Sequence, residues 1–213
     1  MKVITIGGQK GGTGKTTIAA ELTVNLSKNG SVLFVDTDPQ ASSTDFCNSR
    51  RDELPDIGFT AIQLQEKAVL TEVAKLKEHY DYVVIDAGGY DTASQRYALS
   101  ISDIYLSVFK PESLALWTLE NVEKIIEEMS LANPSLKAYS LLNLGWPSGS
   151  DNEESAEILR ESELISLLPC VIQRRKAFCD ATGRGLSVTE RIPKDSKAVA
   201  EIEELLNSLK GEL

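Results

Sequence analysis

A glycine-rich segment with several lysines and threonines lies between residues 7 and 17 of this 213-residue chain. Glycines let consecutive backbone N–H groups turn toward one point, where they can bind the oxygens of a phosphate group. Lys15 follows the last glycine and is placed to reach a β- or γ-phosphate, and the hydroxyl of Thr16 can become a ligand of Mg²⁺. The segment therefore predicts a site for a nucleoside triphosphate and Mg²⁺.

The segment differs from both common patterns of nucleotide-binding loops. The dinucleotide pattern GxGxxG fails because Thr17 stands where its third glycine belongs, and GxxxxGK[ST] fails because Gln9 stands where its first glycine belongs. What remains is KGGTGKT, which has an additional lysine, Lys10, at its start. An apolar run precedes this loop and a helical pattern follows it, so the loop leads into a helix N-terminus, which itself attracts anions.

Three aspartates follow apolar runs and are candidates for metal and water chemistry. Asp36 and Asp38 are two residues apart at the end of one run, and Asp86 ends another. Such carboxylates can hold Mg²⁺ or its water shell, or orient an attacking water. Asp36 to Gln40 is also a favourable turn sequence with solvated acids, but its position near a phosphate loop favours the chemical role. Gly88 and Gly89 predict a loop after Asp86 that can move with a γ-phosphate.

The elements that must position these residues alternate along the chain. Near-continuous runs of Val, Ile and Leu indicate strands that are buried on both faces, which is typical of parallel sheets with helical crossovers. We predict a doubly wound, mostly parallel α/β sheet in one domain over residues 1–213, with ligands at the carboxyl ends of the strands. The predicted strands are 2–7, 31–36, 82–86, 104–109, 138–143 and 167–172, and the predicted helices are 17–28, 68–78, 113–130, 153–163 and 196–209.

Composition excludes several classes of protein. Hydrophobic residues make up 42% and charged residues 25% of the chain, which is ordinary for a globular protein. No apolar run approaches the roughly 20 residues of a membrane span, the N-terminus lacks the pattern of a signal peptide, and the three cysteines are widely spaced. We therefore expect a cytoplasmic protein with no membrane partner.

Charge is distributed unevenly. The chain carries a net charge of -10, but residues 168–197 contain seven basic and three acidic side chains. This asymmetry is compatible with a local patch that faces DNA or another anion on an otherwise acidic body. The alternative is a solvated basic face.

The loop 10–17, together with residues 36–40 and 83–86, resembles the deviant Walker-A ATPases, and within them most closely the ParA family of plasmid and chromosome partition ATPases. The resemblance covers most of the chain and is most specific over residues 1–45. It implies a P-loop NTPase fold in the short form that lacks an N-terminal helix-turn-helix. It also implies ATP and Mg²⁺ as ligands, an ATP-sandwich homodimer, and binding of that dimer to non-specific DNA. Slow hydrolysis would be stimulated by a centromere-binding partner protein, and the ATP-bound form would associate with the nucleoid.

The resemblance also assigns roles to residues at the phosphate site. Lys10 would cross the dimer interface to the phosphates of the other subunit, Asp38 would position the hydrolytic water, and Lys15 would act in catalysis as well as binding. Thr16, Asp36 and Asp86 would support the metal. The residues implied in nucleotide binding are Gly11, Gly12, Thr13, Gly14, Lys15, Thr16, Thr17 and Asn143.

Asn143 and a basic segment carry the remaining implied roles. Asn143 resembles the asparagine that contacts adenine in the family, although a polar residue at a strand end is the simpler interpretation. The residues that resemble a DNA-contacting region are Arg174, Arg175, Lys176 and Arg184. The sequence also departs from the family at Lys110, where relatives have an apolar residue or a proline, and this departure falls on the nucleotide-side interface.

Other functions share the same loop. A membrane-recruited positioning ATPase of the MinD type needs a basic amphipathic C-terminal helix, whereas residues 199–213 contain four acids and one base. A small-molecule ligase similar to dethiobiotin synthetase would use Lys10 and Asp38 for substrate chemistry. An iron–sulfur carrier needs paired cysteines. A ParA relative that positions protein clusters rather than DNA is not separated from a partition ATPase by the sequence.

Overall fold

The computed structural model describes residues 1–89, 91–111 and 115–213. Within these residues, seven strands form one parallel sheet in the order β3-β2-β4-β1-β5-β6-β7. The strands are β1 (Lys2–Gly7), β2 (Val32–Asp36), β3 (Thr60–Gln63), β4 (Tyr82–Asp86), β5 (Ile104–Phe109), β6 (Lys137–Gly145) and β7 (Ser166–Gln173). The predicted α/β class is confirmed, and every strand pair is parallel.

Helices connect the strands and cover both faces of the sheet. They are α1 (Lys15–Leu26), α2 (Ser42–Glu53), α3 (Lys67–Leu76), α4 (Ala93–Leu99), α5 (Ala115–Ala132), α6 (Asp151–Arg160), α7 (Lys176–Thr182) and α8 (Ser196–Leu209). A short 3₁₀ helix, Lys77–His79, extends α3. Residues 113 and 114, which begin the predicted helix 113–130, lie outside the described residues.

Alternating side chains of the strands build the two sides of the core. Ile4 and Ile6 of β1 pack in a cluster with α1, α2, α7 and α8. Val3, on the opposite face, packs with side chains of α3 and α4, and β5 and β6 pack against α5 and α6 on that same side. Because successive strand residues point to opposite faces, an uninterrupted apolar run fills both sides.

Six of the strands and five of the helices correspond to predicted elements, whereas α2, β3, α4 and α7 were not predicted. β3 has four residues, and α4 and α7 have seven each, so they are too short to show a clear period. α2 is longer but mostly polar, with only four buried side chains.

The position of β1 decides where a ligand can bind. β1 lies between β4 and β5, and the chain leaves β1 toward β2 on one side but reaches β5 on the other. A crevice opens at the carboxyl ends of the strands wherever the strand order reverses in this way. The loops that follow β1, β2 and β4 meet at this crevice.

Candidate nucleotide site

The loop between β1 and α1 needs glycine at two positions for its backbone geometry. Gly12 and Gly14 have φ angles of 71° and 88°, in the left-handed region that disfavours residues with a Cβ. At Gly14, a Cβ would also lie 2.2 Å from Nδ2 of Asn143. The backbone therefore favours glycine at both positions, and close packing against Asn143 also requires it at Gly14.

Lys15 reaches back over this loop. Its Nζ donates a hydrogen bond of 2.9 Å to the carbonyl oxygen of Lys10, and the side chain is 7% exposed. Burial lowers the pKa of Lys15, while the charges of Asp86 and Asp38 oppose that effect. An ammonium group held among backbone donors at a helix N-terminus is suited to bind a phosphate.

Lys10 lies exposed at the start of the loop. An exposed side chain at this position is compatible with the predicted contact to a second subunit. That role stays a prediction.

Thr16 and Asp86 are in direct contact. The Thr16 hydroxyl donates to Oδ2 of Asp86 at 2.7 Å, and the hydroxyl of Ser43 from α2 donates to the same oxygen at 2.6 Å. Asp86 is 1% exposed, and burial raises its pKa to about 6 although both hydroxyls lower it. A hydroxyl and a carboxylate beside a phosphate loop are the hard oxygen donors that Mg²⁺ prefers, so the donor set fits the metal.

Asp36 and Asp38 have different surroundings. Oδ2 of Asp36 accepts hydrogen bonds from the backbone N and the hydroxyl of Thr44, both at 2.8 Å, so the carboxylate holds the first turn of α2. It lines a separate small cavity that also includes Cys47. Asp38 is half-buried, and its Oδ1 accepts from the backbone N of Gln40 at 2.9 Å. Asp38 therefore lies at the phosphate loop, whereas the carboxylate of Asp36 is bound to α2. The predicted role of Asp38 toward water and that of Asp36 toward the metal both stay predictions.

The loops meet around a cleft of about 520 Å³. It is lined by Gly11, Gly12, Gly14, Lys15, Thr16, Thr17, Asp38, Pro39, Gln40, Ser42, Gly88, Gly89 and Thr92. A Cβ on Gly89 would lie 3.2 Å from Nζ of Lys15, and one on Gly88 would lie 3.5 Å from Oδ2 of Asp38. The glycine pair after Asp86 therefore lets the chain pass between the two charged groups.

Asn143 supports the loop from β6. It is buried, and its Nδ2 donates to the carbonyl oxygen of Thr13 at 2.7 Å. The amide nitrogen is thus committed to the loop backbone in this structure. The predicted adenine contact is not tested by this geometry and stays a prediction. The sequence did not predict the contact of Asn143 with Thr13 or that of Ser43 with Asp86. Both contacts join residues that are distant along the chain.

The four residues predicted to contact DNA do not form one free patch. Arg175 is paired with Glu201 at 2.5 Å and Arg184 with Glu53, while the guanidinium of Arg174 lies 4.6 Å from the ring centre of Trp146. Arg174 and Lys176 are exposed at the start of α7, and Arg184 follows its end.

None of the helices in the described ranges has the length and apolar character needed to cross a bilayer.

Comparison with known proteins decides the family. Residues 4–188 match the family described as the CobQ/CobB/MinD/ParA nucleotide binding domain. The chain belongs to this family. The resemblance to ParA-type deviant Walker-A proteins is therefore confirmed at the level of the ParA/MinD-like ATPase family, and the predicted P-loop NTPase fold is confirmed with it.

Two curated relatives illustrate the range of this ParA/MinD-like family. Maintenance of carboxysome distribution protein A of Halothiobacillus neapolitanus is 27% identical over 201 residues, covering 94% of this chain and 92% of the relative. Protein ParA of Rhizobium radiobacter is 27% identical over 130 residues, covering 60% of this chain and 58% of the relative.

Solved structures of two further ParA/MinD-like proteins share the fold. Apo McdA of Cyanothece has a TM-score of 0.82 at 19% identity, over 98% of this chain and 99% of that one. A putative plasmid partition protein of Borrelia burgdorferi bound to AMPPNP has a TM-score of 0.79 at 21% identity, over 100% and 99% of the two chains.

Proposed function

We propose that this chain is a Mg²⁺-dependent ATPase that acts as a DNA-partition switch, with residues 1–213 as a single P-loop ATPase domain. The ATP-bound form pairs with a second copy and binds non-specific DNA. A centromere-binding partner protein stimulates hydrolysis of ATP to ADP and phosphate, which resets the switch. The protein works in the cytoplasm and associates with the nucleoid when ATP is bound.

One observation carries the ATPase part of this proposal. Lys15, Thr16 and Asp38 line the same cleft, and Asp86 contacts Thr16 at its edge. This combination provides a phosphate-binding cation, a hydroxyl and carboxylate pair for a metal, and a second carboxylate for a water molecule. These are the parts that phosphoryl transfer to water requires, because catalysis there is mostly positioning and charge stabilisation.

Each residue has a defined part in the proposed reaction. Lys15 and the loop amides neutralise the phosphate oxygens, and Thr16 and Asp86 hold Mg²⁺. Held by these two residues, Mg²⁺ would supply positive charge to offset the negative charge of the phosphates. Asp38 accepts a hydrogen bond from the attacking water and orients it toward the γ-phosphorus. Gly88 and Gly89 form the neighbouring loop, which adjusts when that phosphate is present.

Dimerisation and DNA binding complete the switch. Lys10 lies exposed and is free to reach a second copy that faces the loop. Arg174 and Lys176 are exposed at the start of α7, and pairing two chains doubles the number of cations presented to DNA. Arg175 and Arg184 are paired with acids, so we expect them to contribute less to DNA affinity unless those pairs open.

A second candidate function is the positioning of a protein cargo rather than a DNA molecule. The relative described as a carboxysome distribution protein aligns over 94% of this chain, whereas the ParA relative aligns over 60%. The nucleotide and DNA steps are the same in both candidates. Deleting the gene in its organism of origin separates them: loss of a plasmid or chromosome supports partition, and clustering of a protein body supports cargo positioning.

The ATPase part is tested by measuring phosphate release from ATP with Mg²⁺. We expect turnover by the wild type and its loss in Lys15→Ala, because the phosphates lose their buried cation. Lys210→Ala is the matched control, since Lys210 is an exposed lysine at the end of α8 and does not line the cleft. Absence of ATP binding in the wild type, or unchanged turnover in Lys15→Ala, overturns the proposal.

A further inference from the structure

Lys110 lies beside the phosphate loop although it belongs to another strand connection. It directly follows β5, which pairs with β1 on the side away from β4. Its Nζ lies 3.8 Å from the position that a Cβ on Gly12 would take. The side chain is half-buried, so its ammonium is held against the loop rather than extended into solvent.

The backbone fixes this placement. Gly7 pairs with Ser107 in the sheet, and the carbonyl oxygen of Val108 lies 3.0 Å from the position that a Cβ on Gly8 would take. The end of β5 therefore runs against the start of the loop. Pro111 is buried immediately after Lys110 and restricts the chain at that point.

Lys110 adds to the positive charge around the loop. Lys15 is balanced in part by Asp86 and Asp38. Lys10 and Lys110 have no carboxylate within 4.0 Å among the described residues. Cations at one loop that lack a carboxylate partner attract an anion, and a bound phosphate offsets their charge. Gly11 and Gly12, which follow Lys10 in the loop, line the cleft of about 520 Å³.

We propose that Lys110 is an additional phosphate-contacting residue of the nucleotide site. It donates a charge-assisted hydrogen bond to a phosphate oxygen, and so supplies a cation from outside the loop motif. This inference rests on the proposed function, because it needs the loop to hold a nucleotide. The phosphate belongs either to the nucleotide of the same chain or to that of a second copy facing the loop.

The test compares nucleotide affinity and ATP-driven pairing in four proteins: the wild type, Lys110→Gln, Lys110→Arg and the control Lys210→Gln. Affinities for ATP, ADP and adenosine are measured by calorimetry, and pairing with ATP by light scattering. Lys110→Gln keeps most of the side-chain length and removes the charge, and Lys110→Arg keeps the charge. Lys210 is a suitable control because the chain just after α8 contacts Lys137 through Glu212. Lys137 begins β6 at the amino ends of the strands, away from the cleft at their carboxyl ends.

A contact within the same chain predicts that Lys110→Gln weakens both ATP and ADP binding about tenfold and leaves adenosine binding unchanged. A contact to the second copy predicts normal ADP affinity but weaker pairing with ATP. Either result supports the inference, provided that Lys110→Arg restores most of the loss. Unchanged phosphate-dependent affinity and unchanged pairing in Lys110→Gln overturn it. If the wild type does not bind ATP, the proposed function itself fails.

Discussion

The charged side chains at the two ends of helix α1 have different surroundings. We call its N-terminal end the phosphate edge and define it by Lys10, Lys15, Asp38, Asp86 and Lys110. Lys15 and Asp38 line the cleft there, and two of the lysines have no ion-pair partner among the described residues. Toward its C-terminal end, α1 enters a buried junction with α2 and the segment that follows α7. We define this junction by Glu21, Asn25, Arg50, Ser187 and Glu190.

The charged side chains of the junction form hydrogen bonds with neighbouring side chains and with the backbone. Arg50 donates to both carboxylate oxygens of Glu190 at 2.8 Å and to the carbonyl oxygens of Ile57 and Gly185. Glu21 accepts from the Ser187 hydroxyl at 2.6 Å and from a backbone N–H at 3.0 Å.

The difference indicates that the two ends of α1 have different roles. At the phosphate edge, charged side chains remain available to bind a ligand. At the junction, charged side chains hold α1 and α2 against the segment that follows α7. The packing at the junction is close at Gly185, where a Cβ would lie 2.1 Å from the backbone N of Arg50. We therefore expect substitutions at the junction to change stability and substitutions at the phosphate edge to change chemistry.

Arg50→Ala should have the largest effect on stability. It leaves Glu190 half-buried without its cation, and loss of one member of such a pair costs about 3–5 kcal/mol when the pair is buried. Urea unfolding measures this change. Arg51→Ala is the matched control because Arg51 is the exposed neighbour on α2, and we expect it to change stability by less than about 0.5 kcal/mol. Equal effects of the two substitutions would remove the distinction between the junction and an ordinary surface.

Asp38→Asn should have the opposite profile. The amide cannot take the role of the carboxylate toward the attacking water, so we expect turnover to fall about hundredfold or more while ATP affinity stays within about twofold. The unfolding free energy should change little, because the side chain is only half-buried. Asp52→Asn, at the other end of α2, controls for the loss of one negative charge. Normal turnover in Asp38→Asn would exclude Asp38 from the reaction.

Glu21→Gln should change how stability depends on pH. Burial raises the pKa of Glu21 from its ordinary 4.5 to about 7, against hydrogen bonds from Ser187 and Val188 and with Glu190 and Lys28 as the charged neighbours. Between these two values the folded protein holds a proton that the unfolded chain has lost. Unfolding free energy therefore falls as pH rises through about 7.

Unfolding series at pH 5 and pH 8 measure this effect. We expect Glu21→Gln to lose less stability over that range than the wild type, by on the order of 2 kcal/mol. Part of the slope remains in the variant, because burial also raises the pKa of Asp86, to about 6. Identical slopes in the two proteins would show that burial in the junction does not raise the pKa of Glu21, and would contradict this prediction.

The phosphate edge was largely predictable from sequence, and the junction was not. Lys15, Thr16 and Asp86 lie next to glycines or at the ends of apolar runs, so local patterns indicated them. Arg50 and Glu190 are 140 residues apart, and each lies in a polar stretch without a recognisable spacing.

Long-range contacts also explain why the sequence did not predict α2 or the contact of Asn143 with the phosphate loop. α2 lacks an apolar period, and its first turn is held by Asp36 through Thr44. The hydrogen bond from the amide nitrogen of Asn143 to the carbonyl oxygen of Thr13 joins residues 130 positions apart, which sequence spacing cannot reveal.

The most direct test of the switch is binding to duplex DNA of random sequence in three states: with Mg²⁺-ATP, with Mg²⁺-ADP and without nucleotide. Fluorescence anisotropy at several stated salt concentrations gives the affinity and the number of phosphate contacts from its salt dependence. We predict binding with ATP alone, weakening steeply as salt rises. Equal binding in all three states, or no binding with ATP while ATP is still hydrolysed, would contradict the claim that the nucleotide controls DNA binding.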